Sequence, residues 1–412
     1  MTSISNIAPL KRKRAGATLG RRKTSMNKRP YVSRASYPTS VAVIGAGLAG
    51  LTTAYWLTRL GIPVTIIDAK PGPGEGTSFA NGGMLTPSQS NPWNAPGTIR
   101  HLSSWIWHKD SPLKIYPSAL PHLIGWGARF LWDSWPSRYR RWTARNFILG
   151  HYSLEQLKLL VRETGLHFDR ESHGTLQVFR EQAEIDARMP IMDFMSRRGL
   201  DVQRLDRERL ADLEPVFDDD RSPFVGGLYF PKDESGDAFL FCEGLAGWLA
   251  LMGVTFCYGS GVERLDVESG KVRAAVTADD TIKADAFVVA CGPGSRILLH
   301  NCGIHCPIYP AKGYSLTVDI GAANSGPRLP VVDMHDEICV TPLGRRLRIA
   351  GSVEFCGYDL TIDAKRSEAN PQPSAQSRAA AASISGQRIL PLDGPASCHP
   401  DGLPDAGAFP PR

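Results

Sequence analysis

Acidic side chains, cysteines and apolar runs are all missing from the N-terminal end of this sequence. Residues 1–40 contain ten Lys and Arg but no Asp or Glu, and they lack the apolar core of a secretory signal. Their composition predicts a disordered extension over residues 1–38. A transit peptide and a start codon assigned too early, with Met26 as the later candidate, are alternatives. The basic run from Lys11 to Arg14 also fits a nuclear signal, although such runs are common on solvated tails.

The remainder of the chain has too little positive charge to indicate a nucleic-acid partner. The formal charge of the whole chain is +6, but the residues after position 40 carry 37 Lys and Arg against 41 Asp and Glu. A mildly acidic body does not attract a polyanion, so we predict no nucleic-acid binding. With 412 residues, the chain is long enough for two domains.

Cysteine is absent before residue 240, and all eight cysteines lie after it. Their spacing forms neither a disulfide framework nor a zinc site. Cys302, His305 and Cys306 lie close together, but this C-x₃-C without a second pair is more typical of ordinary buried or loop residues. We therefore expect no metal site, and reduced thiols in a cytosolic protein.

The stretch that organises the rest of the chain runs from Val41 to Asp68. An apolar run, Val41–Ile44, predicts a strand, and a G-x-G-x-x-G pattern follows it directly. Apolar residues then recur at helical spacing until Gly61. A second predicted strand, Val64–Ile67, ends on the acid Asp68. This order is typical of a dinucleotide-binding βαβ unit.

Each conserved part of such a unit has a physical role that these residue types can fill. Gly45 permits the tight turn from strand to helix, Gly47 lets a pyrophosphate approach the backbone, and Gly50 lets the helix pack close to the strand. The helix N-terminus offers N–H groups and partial positive charge to the phosphates. Asp68 can accept hydrogen bonds from the adenosine ribose. The alternative is a structural βαβ unit with a chance glycine pattern.

A glycine-rich loop follows soon after Asp68, and this position suits a flavin better than a nicotinamide. The chain must run back beneath an extended FAD. Ser78, Asn81, Gly82 and Gly83 offer small side chains and free backbone groups for that purpose.

At this point the sequence resembles the bacterial D-amino acid dehydrogenases (small subunit). These belong to the wider group of FAD-dependent amine oxidoreductases that includes D-amino acid oxidase, glycine oxidase and sarcosine oxidase. The resemblance covers roughly residues 40 to 365, and GTSFANGG and KGYS are its most specific segments. It is carried by VAVIGAGLAGLTTAYWLTRLGIPVTIID, GTSFANGG, HGTLQVFR, GGLYFPKDESGDAFLF, ADAFVVACG, YPAKGYSLT and RLRIAGSVEFCGYDL.

The resemblance implies an α/β fold in which a Rossmann-like FAD-binding domain, discontinuous in sequence, is joined to a second, mixed α+β substrate domain. We place the FAD-binding domain at residues 39–85 and 236–296, and the substrate domain at residues 86–235 and 297–365. The implied activity is FAD-dependent oxidative deamination of D-amino acids to 2-oxo acids and ammonium. Electrons would pass to a quinone or another respiratory-chain acceptor. A glycine- or sarcosine-type amine oxidase and a truncated, non-catalytic flavoprotein are the alternatives.

The same resemblance implies which residues hold FAD. Val262 would present its backbone to adenine, with core packing as the alternative, and Gly292 would let the chain pass near the cofactor. The full predicted set is Val43, Ile44, Gly45, Ala46, Gly47, Leu48, Ala49, Gly50, Asp68, Ser78, Asn81, Gly82, Gly83, Met84, Val262 and Gly292.

Arg346 and Tyr314 are the candidates for binding the substrate, and no side-chain base is assigned. Strands are predicted at Ile338–Thr341 and Leu347–Ala350, and in strand geometry Arg346 and Arg348 face the same side. An arginine can clamp a carboxylate with two N–H groups, and the amine-oxidase relatives place one at the position matching Arg346. The rival is that Arg348 is the clamp and Arg346 a solvated cation. Tyr314 would close over the substrate or pack.

Residues 93–142 are rich in tryptophan and arginine, with seven Trp. The composition predicts either a helical hairpin over the substrate domain or contact with a membrane surface. An apolar run of about 18 residues, the length that spans a bilayer, is absent from this stretch. We expect a cytoplasmic protein, and the resemblance favours peripheral contact with the inner face of the plasma membrane, since such dehydrogenases pass electrons to the respiratory chain.

Several further elements are predicted from periodicity. The last strand below is a continuous apolar run, which is typical of a buried parallel sheet. Helices are predicted at Tyr152–Glu163, Ala183–Arg198 and Ala238–Met252. Strands are predicted at Leu176–Phe179, Val254–Tyr258, Leu265–Val267, Val272–Thr277 and Ala286–Ala290.

The composition changes after Lys365 to Pro, Ala and Ser with little periodicity, and we predict that residues 366–412 are disordered. Relatives continue here with a proline- and glycine-rich loop and a glycine-rich turn into a helix that faces the flavin. Only Pro400–Pro404 resembles the first of these. We therefore hypothesise a frameshift or truncation after Lys365, which places activity in doubt.

Overall fold

The computed structural model describes residues 37–101, 113–220, 222–321, 326–359, 361 and 395–398. The strands are β1 (Val41–Ile44), β2 (Val64–Ile67), β3 (Met84–Leu85), β4 (Leu113–Ile115), β5 (Thr175–Phe179), β6 (Gln203–Asp206), β7 (Gly226–Phe230), β8 (Glu234–Ser235), β9 (Thr255–Cys257), β10 (Val262–Glu268), β11 (Lys271–Thr277), β12 (Thr281–Lys283), β13 (Ala286–Val289), β14 (Tyr309–Asp319), β15 (Val331–Asp333), β16 (Ile338–Leu343), β17 (Arg346–Phe355) and β18 (Pro395–Cys398). The helices are α1 (Leu48–Arg59), α2 (Leu120–Asp133), α3 (Pro136–Thr164), α4 (Gln182–Ser196), α5 (Arg207–Leu213), α6 (Ala238–Leu251) and α7 (Ser295–His300).

A four-stranded sheet in the order β13-β1-β2-β9, here called the parallel sheet, carries the predicted βαβ unit. All of its pairings are parallel. Every residue of β1 is buried, and Leu51 and Tyr55 of α1, which have no exposed surface, pack in one apolar cluster with Val41 and Val43. The strand, turn, helix and strand predicted over Val41–Asp68 are confirmed, because their local patterns agree with the burial that the tertiary structure gives them.

Among the described residues, the strands of the parallel sheet all come from residues 41–289. These strands lie inside residues 39–85 and 236–296, the two segments predicted for FAD binding, although the domain boundaries themselves stay a prediction. One prediction is corrected: β13 is only half-buried along its whole length. The reason is its place at one end of the described sheet, where only β1 lies beside it.

A nine-stranded sheet, here called the mixed sheet, contains the path β18-β14-β17-β16-β15-β5-β7-β6, with β4 paired to β17. The predicted strands at Leu176–Phe179, Ile338–Thr341 and Leu347–Ala350 are confirmed as parts of β5, β16 and β17. Strands β16 and β17 form a hairpin whose turn contains Gly344 at φ +60°. The mixed sheet therefore presents Arg346 and Arg348 on one strand.

The segment predicted to be disordered after residue 365 is described only at Pro395–Cys398. These four residues form β18, which pairs antiparallel with Tyr309–Lys312 of β14. The prediction is corrected for them, because an open strand edge offers backbone groups to any extended segment. The remainder of that segment, like residues 1–36, lies outside the described residues.

Two consecutive helices, α2 and α3, lie in the second half of the tryptophan-rich region, and the predicted hairpin over the substrate domain stays a prediction. Helix α3 begins at Pro136, well before the predicted start at Tyr152, and ends at Gly165 in the left-handed conformation with φ +69°. Proline suits a first helical position because its missing N–H has no partner there in any case. Trp105 and Trp107 lie outside the described residues. No described helix is both long and apolar enough to cross a membrane.

Candidate functional site

The three glycines of the turn after β1 differ in how much space surrounds them. Two of them have no room for a Cβ, whereas the third has. Gly45 has φ +114°, and a Cβ built on it would lie 2.4 Å from the carbonyl oxygen of Ala290. A Cβ on Gly50 would lie 1.8 Å from the carbonyl oxygen of Gly45. A Cβ on Gly47 would meet only Ser78 Oγ, at 3.3 Å. Gly45 and Gly50 are thus required by the packing of the turn, whereas Gly47 keeps its outer face clear.

The N-terminus of α1 is built to receive an anion. Its N-cap is Gly47, which supplies no side-chain cap, and its first turn contains no acidic residue. The N–H of Leu48 donates to Ser78 Oγ at 3.3 Å, a long bond that is weak. The N–H groups of this first turn and the helix dipole therefore fit the pyrophosphate of a dinucleotide.

Asp68 lies at the end of β2 and is held by two backbone amides. Its Oδ2 accepts from the N–H of Ala46 at 2.6 Å, and its Oδ1 accepts from the N–H of Lys70 at 2.8 Å. A carboxylate has about four acceptor positions, so both oxygens can still receive ribose hydroxyls. The N–H of Ser260 donates to the carbonyl of Asp68 at 2.9 Å, which places the start of β10 at Val262 beside this acid.

Gly292 follows β13 and completes the same edge of the parallel sheet. It has φ +54°, and no atom of a described residue lies within 4 Å of a Cβ built on it. The carboxyl ends of β1, β2 and β13 thus bring together the glycine turn, Asp68 and Gly292, with Ser78 and Val262 beside them. Open α/β sheets bind ligands at this edge. The residues present fit the pyrophosphate and ribose of FAD, and the predicted cofactor set stays a prediction in its residue-by-residue form.

Residues 80–83, which include Asn81, Gly82 and Gly83 of the predicted FAD set, have four consecutive carbonyl groups bonded to the rest of the protein; we call them the anchored loop. Three of the four donors are side chains of the mixed sheet, a support for this loop that was not predicted from the sequence. The donors are Ser315 Oγ to Ala80 (2.6 Å), Arg348 Nη1 to Asn81 (2.8 Å), Thr341 Oγ1 to Gly82 (2.7 Å) and the N–H of Gly236 to Gly83 (2.9 Å).

These bonds fix which way the anchored loop faces. Its carbonyl groups are turned onto the mixed sheet and the start of α6, and Asn81 Oδ1 accepts from the N–H of Gly83 at 3.1 Å within the loop. The sequence signal that could have found Ser315 is its place in the KGYS segment. Thr341 had no such signal, since it reads only as one residue of an apolar strand.

Arg348 is a buried cation that donates a hydrogen bond to the anchored loop. Its side chain is only 5% exposed, its Nη2 lies 4.0 Å from Asp237, and its Nε has no partner among the described residues. Burial lowers the pKa of Arg348, and the nearby Asp237 carboxylate opposes that shift. Arg348 therefore supports the anchored loop, and its rival role as the substrate clamp stays a prediction.

Arg346 lies on the same side of β17 as Arg348, as predicted, since both approach Asp237. Its Nη2 contacts Asp169 and Asp237, each at 2.8 Å. Its side chain is 35% exposed. The role of Arg346 in binding a substrate carboxylate stays a prediction, and it requires the part of the guanidinium that these two aspartates do not contact.

Tyr314 is buried and its hydroxyl already has a partner. The hydroxyl donates to Glu354 Oε2 at 3.1 Å, and Lys312 Nζ lies 2.8 Å from the same oxygen. Burial, together with the Glu354 charge, raises the pKa of Tyr314 to about 12. This arrangement favours the packing alternative over closure on the substrate.

A cavity of about 790 Å³ lies against the anchored loop. Its lining includes Asn81, Gly83 and Met84 of the predicted FAD segment and Leu48 at the start of α1, and it extends along α2 and α3. Neither predicted substrate residue, Arg346 or Tyr314, is part of this lining. Four of the predicted cofactor residues thus line this cavity, whereas the two predicted substrate residues lie outside it.

The described cysteines are free thiols, including Cys302 and Cys306. Within residues 37–101, 113–220, 222–321 and 326–359, no group of three His, Cys, Asp or Glu side chains has an arrangement that could hold a metal ion. Cys339 lies under the anchored loop, and burial raises its pKa to about 11. This thiol is therefore protonated at neutral pH and behaves as a small apolar side chain.

Comparison with known proteins gives concordant results. The family model for FAD dependent oxidoreductases (DAO) matches residues 40–408. D-amino acid dehydrogenase of Rhizobium johnstonii is 40% identical over 318 residues, which are 77% of this chain and 76% of that protein. D-amino acid dehydrogenase of Rhodopseudomonas palustris is 36% identical over 371 residues, which are 88% of this chain and 87% of that protein.

A solved structure shows the same fold at low sequence identity. Glycine oxidase from Geobacillus kaustophilus superposes with a TM-score of 0.65 and 19% identity over 90% of this chain and 86% of its own. The family match also corrects one prediction. The resemblance was expected to end at about residue 365, but the match continues to residue 408. The chain belongs to the FAD dependent oxidoreductase (DAO) family.

Proposed function

We propose that this chain oxidises D-amino acids to 2-oxo acids and ammonium as an FAD-dependent dehydrogenase. The observation that carries the proposal is the joint occurrence of the glycine turn, Asp68 and the anchored loop in a chain whose relatives at 36–40% identity are named D-amino acid dehydrogenase. In balance, one amino acid, one water and one oxidised acceptor give one 2-oxo acid, one ammonium and one acceptor that has gained two electrons and two protons.

The residues of this chain bind and align rather than react. FAD, when bound, accepts the two electrons that leave the amino acid. The N-terminus of α1 would hold its pyrophosphate, Asp68 its ribose, and the anchored loop would face its ring system. No side chain is assigned as a base, because holding the reacting atoms in a productive geometry supplies much of the rate.

We propose Arg346 as the group that pairs with the substrate carboxylate. The support is that Arg346 is partly exposed and contacts Asp237, the N-cap residue of α6. The residue before it, Gly236, donates its N–H to the anchored loop. Changing Arg346 to Ala should raise KM for D-amino acids while FAD content stays that of the wild type. A wild-type KM in that variant would remove Arg346 from the proposal.

The experiment for the activity uses purified protein that contains FAD. D-alanine and L-alanine are supplied with a redox dye or with oxygen, and pyruvate, ammonium and hydrogen peroxide are measured. We expect pyruvate and ammonium in equal amounts from D-alanine, with dye reduction and little peroxide. Peroxide in proportion to pyruvate would favour the amine-oxidase alternative, and no product from any D-amino acid would exclude the proposed activity.

We also propose that helices α2 and α3 touch an anionic membrane surface, near the electron acceptor. Exposed apolar side chains lie along them: Ile124, Trp132 and Trp135 are 72%, 66% and 70% exposed. Asp133 is the only acid between residues 120 and 146, and it is buried. Arg129, Arg138, Arg140, Arg141 and Arg145 supply positive charge in the same stretch. Aromatic residues beside cations suit an interface with anionic lipid.

Vesicle sedimentation tests this contact. We expect the protein to sediment with phosphatidylglycerol vesicles more than with phosphatidylcholine vesicles, and less when Trp132 and Trp135 are changed to Ala. Leu251→Ser is the control, because Leu251 is an apolar residue that is 88% exposed at the end of α6 and belongs to neither α2 nor α3. Equal sedimentation of the double variant and the control would contradict the proposal.

A further inference from the structure

Arg346 is held by two aspartates that each follow directly on a residue of the cavity wall. Phe168 and Gly236 line the cavity, and Asp169 and Asp237 are the next residues of the chain. The N–H of Asp237 donates to the carbonyl of Phe168 at 2.7 Å, which ties the two segments together. Both carboxylates that contact Arg346 therefore come from segments that form the wall of the cavity.

The two aspartates contact the same nitrogen of Arg346. Its Nη2 lies 2.8 Å from Asp169 Oδ2 and 2.8 Å from Asp237 Oδ2. A guanidinium presents two parallel N–H groups along two of its edges, one formed by Nε and Nη2 and the other by Nη1 and Nη2. Both edges include Nη2. A substrate carboxylate that takes two N–H groups of Arg346 must therefore replace one of the aspartates at Nη2, whichever edge it uses.

The two aspartates differ in how firmly they are held. The side chain of Asp237 is 3% exposed, and its Oδ1 accepts from the N–H groups of Phe239 at 2.9 Å and Leu240 at 3.2 Å as the N-cap of α6. The side chain of Asp169 is 31% exposed. Its backbone has φ +52°, in the left-handed region that is unfavourable for a residue with a Cβ. Asp169 is therefore the carboxylate that can leave Arg346 at the lower cost.

We propose that Asp169 occupies the place of the substrate carboxylate on Arg346 in the absence of substrate, and that it leaves this place when the amino acid binds. The inference rests on the proposed role of Arg346. The exchange keeps Arg346 paired at every stage, which avoids the cost of an unpaired cation in a partly buried position. It also weakens substrate binding by the strength of the ion pair that has to be broken.

The test removes the charge of Asp169 without changing its shape. Asparagine also tolerates a positive φ, so Asp169→Asn should fold and carry FAD like the wild type. We expect its KM for D-alanine to fall about twofold to fivefold, the range of a partly exposed ion pair, with little change in kcat. Glu171→Gln is the matched control, because Glu171 is an exposed acid two residues further on. An unchanged or higher KM in Asp169→Asn would overturn the proposal.

A double-mutant cycle shows whether Asp169 acts through Arg346. The cycle compares the effect of Asp169→Asn in the wild type with its effect in Arg346→Ala. Because Asp169 competes for Arg346, the fall in KM should vanish when Arg346 is absent. An equal fall in both backgrounds would overturn the proposal, since it would mean that the lost negative charge acts on the substrate without Arg346.

The same variants separate this inference from the proposed function. If Arg346→Ala raises KM but Asp169→Asn does not lower it, the inference alone is overturned. If Arg346→Ala has the wild-type KM, the proposed role of Arg346 fails and the inference with it. If no D-amino acid is oxidised, the proposed activity fails, and acetate is then titrated calorimetrically into the holoprotein. Binding that is tighter in Asp169→Asn than in Glu171→Gln and is lost in Arg346→Ala would support the inference, and equal or absent binding would overturn it.

Discussion

Arg348 Nη1 donates a hydrogen bond to the backbone carbonyl of Asn81 at 2.8 Å, across 267 residues of sequence. A buried cation of the mixed sheet thereby holds the backbone of a loop predicted to contact FAD. Ser315 and Thr341 make the same kind of bond to Ala80 and Gly82. The strands that lie outside the parallel sheet thus determine the conformation of one part of the predicted cofactor site.

Removal of this bond should loosen the anchored loop. In Arg348→Ala, we expect backbone amides of residues 80–83 to exchange hydrogen faster in the apoprotein, and FAD to bind about tenfold more weakly, as for a hydrogen bond from a charged donor. Arg345→Ala is the control, since Arg345 is exposed on the same hairpin. Identical exchange and affinity in the two variants would show that Arg348 does not support the loop.

Gly50 should tolerate no side chain. A Cβ there would lie 1.8 Å from the carbonyl oxygen of Gly45, so we expect Gly50→Ala to lower the free energy of unfolding by about 2–4 kcal/mol. Gly247→Ala, in the exposed interior of α6 with no atom near its built Cβ, should raise it by up to about 1 kcal/mol. Denaturant unfolding of both apoproteins measures the difference, and equal stability would contradict it.

Gly47 should behave differently from Gly50. Its built Cβ meets only Ser78 Oγ, at 3.3 Å, so Gly47→Val should fold as an apoprotein with nearly wild-type thermal stability. The branched side chain would nevertheless occupy the space that a pyrophosphate needs, and we expect loss of FAD. Stoichiometric FAD in the purified variant would show that the cofactor does not lie on this turn.

Asp233 should make stability depend on pH. It is 2% exposed, and burial raises its pKa to about 6, opposed by hydrogen bonds from Ser88 and Thr175. The folded protein binds the proton of Asp233 more tightly than the unfolded chain does. The contribution of Asp233 to the free energy of unfolding therefore falls as pH rises from about 4 to about 6, and it is constant above pH 6. The fall is of order 3 kcal/mol at most.

The measurement is the free energy of unfolding at pH 4, 5, 6 and 7. Asp233→Asn should lack this part of the fall, whereas Asp279→Asn, at an exposed position, should follow the wild type. Parallel curves for wild type and Asp233→Asn would mean that Asp233 titrates normally.

Local patterns predicted the glycine turn well, because each of its requirements lies within about thirty residues. The alternation of side chains along a strand likewise placed Arg346 and Arg348 on one face. The partners of those arginines could not be predicted. Asp169 and Asp237 approach Arg346 from segments far away in sequence, and no periodicity relates them to β17.

The same limit explains what was missed at the anchored loop and in α3. Ser315 and Thr341 are 235 and 259 residues from the carbonyls they hold, so only the tertiary structure brings them together. The first half of α3 mixes arginine with aromatic residues on several sides, which obscures the apolar face by which a helix is recognised. The start of α3 at Pro136 was therefore not predicted, and the composition of this stretch also fits a membrane contact.

Anaerobic titration of the purified holoprotein with D-alanine tests the proposed activity most directly. We expect the yellow absorbance of bound FAD to bleach completely with about one equivalent of D-alanine, with one pyruvate formed per FAD, and to remain with L-alanine. Protein that carries FAD but does not bleach with D-alanine, D-methionine or D-glutamine, or that bleaches equally with the L-enantiomers, would contradict it.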